Sequence, residues 1–113
     1  MTIRDLVKVI QQDIAAGAGG LEPQAAADRL MKLTALLGNI NDEIRSANAH
    51  YAIVLLRYLD ADEAASRAKI RAETSPEYQR RQEARDTKEL AQEMIRALKY
   101  YMRSVEEEMR LTR

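Results

Sequence analysis

The side chains best suited to chemistry are His50, two acidic runs, and a set of arginines and lysines between 67 and 88. His50 is the only histidine, and the chain has no cysteine. A general base must be positioned against a reacting proton, and covalent catalysis adds a nucleophile and a group that orients the base. Nothing in the sequence places such partners beside His50, so it reads as a surface or flanking residue of a helix. The lack of cysteine excludes disulfides, thiol nucleophiles and thiolate zinc sites. The acidic runs are "DADE" (60–63) and "EEE" (106–108). Helical carboxylate metal sites need inward-facing Glu with Glu-x-x-His motifs. Neither run has that histidine, and adjacent helical residues point in different directions. Both therefore read as solvated faces. Gly17, Gly19 and Gly20 lack the strand-then-helix setting of a phosphate loop and read as a connector. The expectation is no catalytic residue, no cofactor, no metal and no enzymatic activity.

The basic set is Arg67, Lys69, Arg71, Arg80, Arg81, Arg85 and Lys88, seven charges against four acids in residues 67–88. Gathered at one end of a rod, these residues could touch phosphates or meet an acidic protein. They could equally form a solvated face with intrahelical pairs such as Glu77–Arg81. Only Tyr78 interleaves with them, which argues against a base-stacking platform. Net charge is zero, so no global field favours nucleic acid or an anionic membrane.

The elements that must carry these residues are helical. A chain of 113 residues is the size of one domain. With 46% apolar and 32% charged residues, two prolines, four glycines and no Trp or Phe, an all-α fold is expected. The first residues, "MTIRDLVKVIQQDI", place Arg4, Asp5 and Lys8 among apolar residues and do not form a signal peptide. No run approaches the roughly 18 apolar residues of a membrane span. A cytoplasmic location and no membrane partner are expected.

Three helices are expected, at about 3–15, 23–73 and 76–110. Thr2 can cap the first, with Asp5 completing a short capping box. "AGAGG" ends it, and Pro23 suits the first turn of the next helix. From Ala26 to Ala72 an apolar seam recurs at alternating spacings of four and three, through Leu30, Leu33, Leu37, Ile40, Ile44, Ala47, Tyr51, Val54, Tyr58, Ala61, Ala65 and Ala68. Such a repeat keeps a partner helix in view. The seam passes Gly38 in "LLGNINDEI" without losing phase. Residues 36–44 then read as continuous helix with a possible hinge at 38–41, although Gly38 could also be a C-terminal cap. Ser75 can cap a last helix that has Pro76 at its first position. The seam of that helix is Thr87, Ala91, Met94, Leu98, Tyr101 and Val105.

A two-residue turn at 74–75 is expected to make an antiparallel hairpin, setting Tyr51 opposite Leu98, Val54 opposite Ile95 and Tyr58 opposite Ala91. The basic set then sits at the hairpin tip. Tyr51, Val54, Leu55 and Tyr58 with Met94, Leu98, Tyr101 and Met102 form an apolar belt that two helices cannot fully cover. Pairing of two chains through this belt, as a homodimer or higher homo-oligomer in a helical bundle, is the expected solution. Folding of the N-terminal helix over the belt is the alternative.

Residues 48–113 resemble short helical accessory proteins encoded by tailed phages and prophages. The matching residues are Tyr51, Ala68, Lys69, Ala72, Ser75, Thr87, Glu89, Leu90, Ala97, Leu98, Lys99, Glu108 and Arg110. The resemblance implies no enzyme and no agreed function; such proteins look like components of phage DNA metabolism, host takeover or particle assembly. The sequence thus points to a non-enzymatic protein–protein interaction module. The alternatives are a nucleic-acid accessory protein that uses the basic residues and an inhibitor of a host or defence enzyme.

Overall fold

The computed structural model describes residues 1–16, 22–61 and 64–112. They form four helices and no strand: α1 (Ile3–Ala16), α2 (Pro23–Asp60), α3 (Ala65–Glu73) and α4 (Pro76–Leu111). The protein is an elongated all-α bundle with extents of 72 × 25 × 20 Å. The glycine connector after Ala16 lies outside the described residues.

The caps form as their residue types dictate. Thr2 N–H donates to Asp5 Oδ2 and Asp5 N–H donates to Thr2 Oγ1, each at 3.1 Å. This reciprocal pair satisfies two amides at the start of α1. The same bonds hold the Asp5 carboxyl below the usual carboxylate range, the backbone bond from Thr2 contributing most. Pro23 opens α2 behind an extended Glu22. At α4, Ser75 Oγ accepts from Tyr78 N–H at 3.2 Å and donates to the Ala72 carbonyl.

α2 runs unbroken through Gly38, so residues 36–44 are continuous helix. The seam is interior with a strict seven-residue beat. Ala26, Leu33, Ile40, Ala47 and Val54 are buried, whereas Leu30, Leu37, Ile44, Tyr51 and Tyr58 on the alternate beat are half-buried. α4 answers with Ala84, Ala91 and Leu98 and with Thr87 and Met94, all buried.

The long helix expected over 23–73 is instead two helices. α2 ends at Asp60 and α3 starts at Ala65 behind an extended Ala64. The sequence supplies a reason. Asp60, the last residue of α2, opposes the negative C-terminal end of the helix dipole, and Asp is a poor helix former. Asp62 and Glu63, expected to flank the seam, lie outside the described residues. Ala61 and Ala65, expected on the seam, are exposed.

The hairpin reversal therefore lies between Asp60 and Ala65, and 74–75 is a bend. α3 returns along α2, and its end leads into Pro76, which shares a cleft with His50, Ile53, Val54 and Arg57. α4 continues in the same direction down α2: Arg80 reaches Glu43, and Ala84 and Thr87 share a cleft with Ile40. Thr74 keeps near-helical angles, and only Ser75 is fully extended before Pro76. One extended residue deflects the chain without turning it back. The pairings of Tyr51 with Leu98, Val54 with Ile95 and Tyr58 with Ala91 are corrected accordingly.

α1 folds back antiparallel to α2. Asp13 pairs with Arg29 at 4.0 Å, and Arg4 reaches Glu83 of α4 at 3.5 Å. Val7 and Ile10 close a three-helix core with Leu33, Ile40, Ala91, Met94, Ile95 and Leu98. Each fully buried aliphatic side chain there contributes about 1.5–3 kcal/mol. α1 thus packs against the apolar part of α4 around Met94 and Leu98.

Candidate interaction surfaces

Glu43, Ser46 and His50 recur at spacings of three and four along α2, which puts them on one helix face. Arg80 of α4 lies across all three. Its Nε donates to Glu43 Oε1 at 2.7 Å, Nη2 donates to Ser46 Oγ at 3.2 Å, and Nη1 meets His50 Nδ1. The guanidinium only donates, so in this contact Nδ1 is the accepting atom. The hydrogen bond from Arg80 holds the Glu43 carboxyl below its usual range, and the same bond raises Arg80. Both side chains remain more than a third exposed, so the pair contributes under about 1 kcal/mol. It links α4 to α2 on one side of the core that sets their alignment. The link was latent in the spacing of Glu43, Ser46 and His50, but only correct pairing of the arms reveals its partner.

Tyr51, the residue after His50 on α2, stacks with α4. Its ring lies 5.5 Å from the Tyr78 ring at a 52° tilt, and Arg81 Cζ sits 4.8 Å from its centroid. This is cation–π geometry. Arg81 Nε is buried and has no hydrogen-bond partner among the described residues. Tyr51, Leu55 and Leu59 share an open cleft with Lys69, Glu73, Arg81 and Arg85.

The basic residues do not share a tip. Arg67, Lys69 and Arg71 lie on α3, and Arg80, Arg81, Arg85 and Lys88 lie along the first four turns of α4. The chain reverses direction between α2 and α3. Arg80 is held by Glu43 and Arg81 by Tyr51; Lys69 and Arg85 line the cleft. Arg67 is exposed, Arg71 is engaged within the fold, and Lys88 is half-buried.

The expected self-association belt does not come together either. Val54, Met94 and Leu98 are interior, and Tyr51, Leu55, Tyr58, Tyr101 and Met102 are half-buried. Met94 and Leu98 belong to the three-helix core with α1, whereas Tyr51 and Leu55 face the α3–α4 bend. The belt assumed a reversal at 74–75, and moving the reversal separates its halves. Exposed apolar residues include Ile53 at 48% exposure, Leu56 at 57% and Ile70 at 65%, with Met31 and Tyr100. Ile53 and Leu56 lie off the buried seam of α2, within the apolar run "YAIVLLRYL" (51–59).

Among the described residues, no three His, Asp or Glu side chains converge as metal ligands, and no helix is long and apolar enough to cross a membrane. No family model matches the chain, and comparison with curated proteins and with solved structures gives no match.

Proposed function

We propose that this chain is a non-enzymatic helical interaction module that self-associates and presents its rod to another protein. The resemblance of residues 48–113 to phage and prophage accessory proteins suggests that setting. The observation that carries the reading is the exposed apolar surface on the second half of α2. Ile53 and Leu56 face water although α3 and α4 already pack against this half of α2. Exposed apolar surface beyond isolated residues marks interaction sites. Light scattering coupled to size-exclusion chromatography tests the self-association: a mass of two chains at tens of micromolar is expected. A single-chain mass at several hundred micromolar, with no protein retained by the immobilised chain, refutes the reading.

A second reading, nucleic-acid binding, is favoured by one feature, the convergence of Lys69, Arg81 and Arg85 on a cleft that also holds Tyr51 and Tyr78. Glu73 in the same cleft and the stacking of Arg81 within the fold count against it. Titration with single- and double-stranded DNA at low and moderate salt discriminates. Binding that falls with salt and is lost on replacing Lys69, Arg81 and Arg85 by Ala supports it; absence of binding rejects it.

A further inference from the structure

We propose that the solvent face of α2 docks a second copy of this chain, the two α2 helices running antiparallel about a two-fold axis near residues 43–44. The proposal rests on the self-association reading above and assigns its surface and register. Opposite the buried seam, α2 carries a second run of positions spaced four and three apart, from Met31 to Leu56, and all are exposed. An interface between identical chains must be complementary to itself under a two-fold rotation. This run is. Antiparallel alignment sets Met31, 72% exposed, against Leu56 of the second copy. Ala35 meets Ala52, Gly38 meets Ala49, and at the centre Asp42 meets Arg45, each twice by symmetry. The facing stretch is roughly 38 Å long at 1.5 Å per residue.

Charge selects the direction. Parallel alignment in register would set Asp42 on Asp42 and Arg45 on Arg45, which costs free energy. In the antiparallel alignment every charge meets its opposite. Within one chain, Asp42 and Arg45 pair with each other at 3.1 Å and are strongly exposed. The same two groups can therefore share their charges across the axis.

Gly38 supplies an independent argument. A glycine inside a helix costs about 1 kcal/mol relative to alanine. Nothing among the described residues requires it, since an added Cβ would meet none of their atoms within 4 Å. Close approach of a helix from outside is the use that remains. Small residues on either side of the central charges let two backbones come together, while Met31 and Leu56 close the ends.

The chain has no cysteine, so engineered cysteines report the register. Gly38→Cys and Ala49→Cys, oxidised as a mixture, are expected to cross-link to each other. Neither is expected to cross-link alone, because equivalent residues lie roughly 16 Å apart along the helix axes, beyond disulfide reach. Asp42→Arg is expected to weaken self-association tenfold or more in sedimentation equilibrium, and Asp42→Arg combined with Arg45→Asp to restore it. Far-UV circular dichroism confirms that each variant folds. A wild-type dimer that shows no 38–49 cross-link, or that is insensitive to Asp42→Arg, overturns this surface while leaving the interaction-module reading in place. A wild-type chain that stays monomeric overturns this surface as well, and pull-down then decides whether any interaction-module reading survives.

Discussion

Replacing Gly38 by Ala should stabilise the folded monomer. The structure fixes the sign, because α2 is helical through this position and the added methyl group enters open space. There is no clash to subtract and little new surface to bury. What remains is intrinsic helix propensity, a gain of about 0.8–1.0 kcal/mol. In urea this corresponds to a midpoint raised by roughly 0.5–1 M at an ordinary slope for a chain of this size. In a thermal melt it corresponds to roughly 3–7 °C. Far-UV circular dichroism at low micromolar protein reads both, and repetition at tenfold dilution confirms that the monomer is being measured. The reciprocal change, Ala35→Gly, lies on the same exposed face and should lose a similar amount. Were Gly38 a left-handed cap ending one helix before another, alanine would be strained and the midpoint would fall. A lower or unchanged midpoint at constant slope would refute the continuous helix and, with it, the two-fold alignment of the α2 face.

Three further outcomes follow from the geometry. Leu33→Ala should cost about 2–5 kcal/mol in urea unfolding, because Leu33 is fully enclosed by the three-helix core; Leu56→Ala, on the open face, should stay within about 0.5 kcal/mol in the monomer. Ser75→Ala should cost about 1 kcal/mol by removing the cap of α4, and Ser75→Asp, which can still accept from Tyr78 N–H, should recover part of that in the same assay. Asp5 and Glu43 both titrate below their usual values of 3.8 and 4.5 when folded. Their contributions are therefore complete above those values and are lost as pH falls through the lower folded ones. Urea midpoints should be flat above about pH 5 and drop below it, and Glu43→Gln, which keeps an acceptor but no charge, should flatten part of the drop.

The sequence determined much of this protein unaided. The all-α class, the Thr2–Asp5 capping box, the Ser75–Pro76 start of α4, and the buried seams of α2 from Ala26 to Val54 and of α4 are all properties of neighbours within about seven residues. Spacing, propensity and cap chemistry act over that range, so they can be read from the string. Which break reverses the chain could not be read in the same way. "DADE" and "ETSPEY" both interrupt helix, and a short interruption can bend or reverse. Tertiary packing decided between them: reversal at 60–65 brings residues 90–98 of α4 against Leu33 and under Val7 and Ile10 of α1. That choice shifted every pairing between the arms. It removed the proposed belt, dispersed the basic residues along α3 and α4, and joined Arg80 to Glu43, Ser46 and His50. It also left the opposite face of α2 bare. The self-complementary order of that face stands in the sequence, but burial of the other face is what exposes it to a partner.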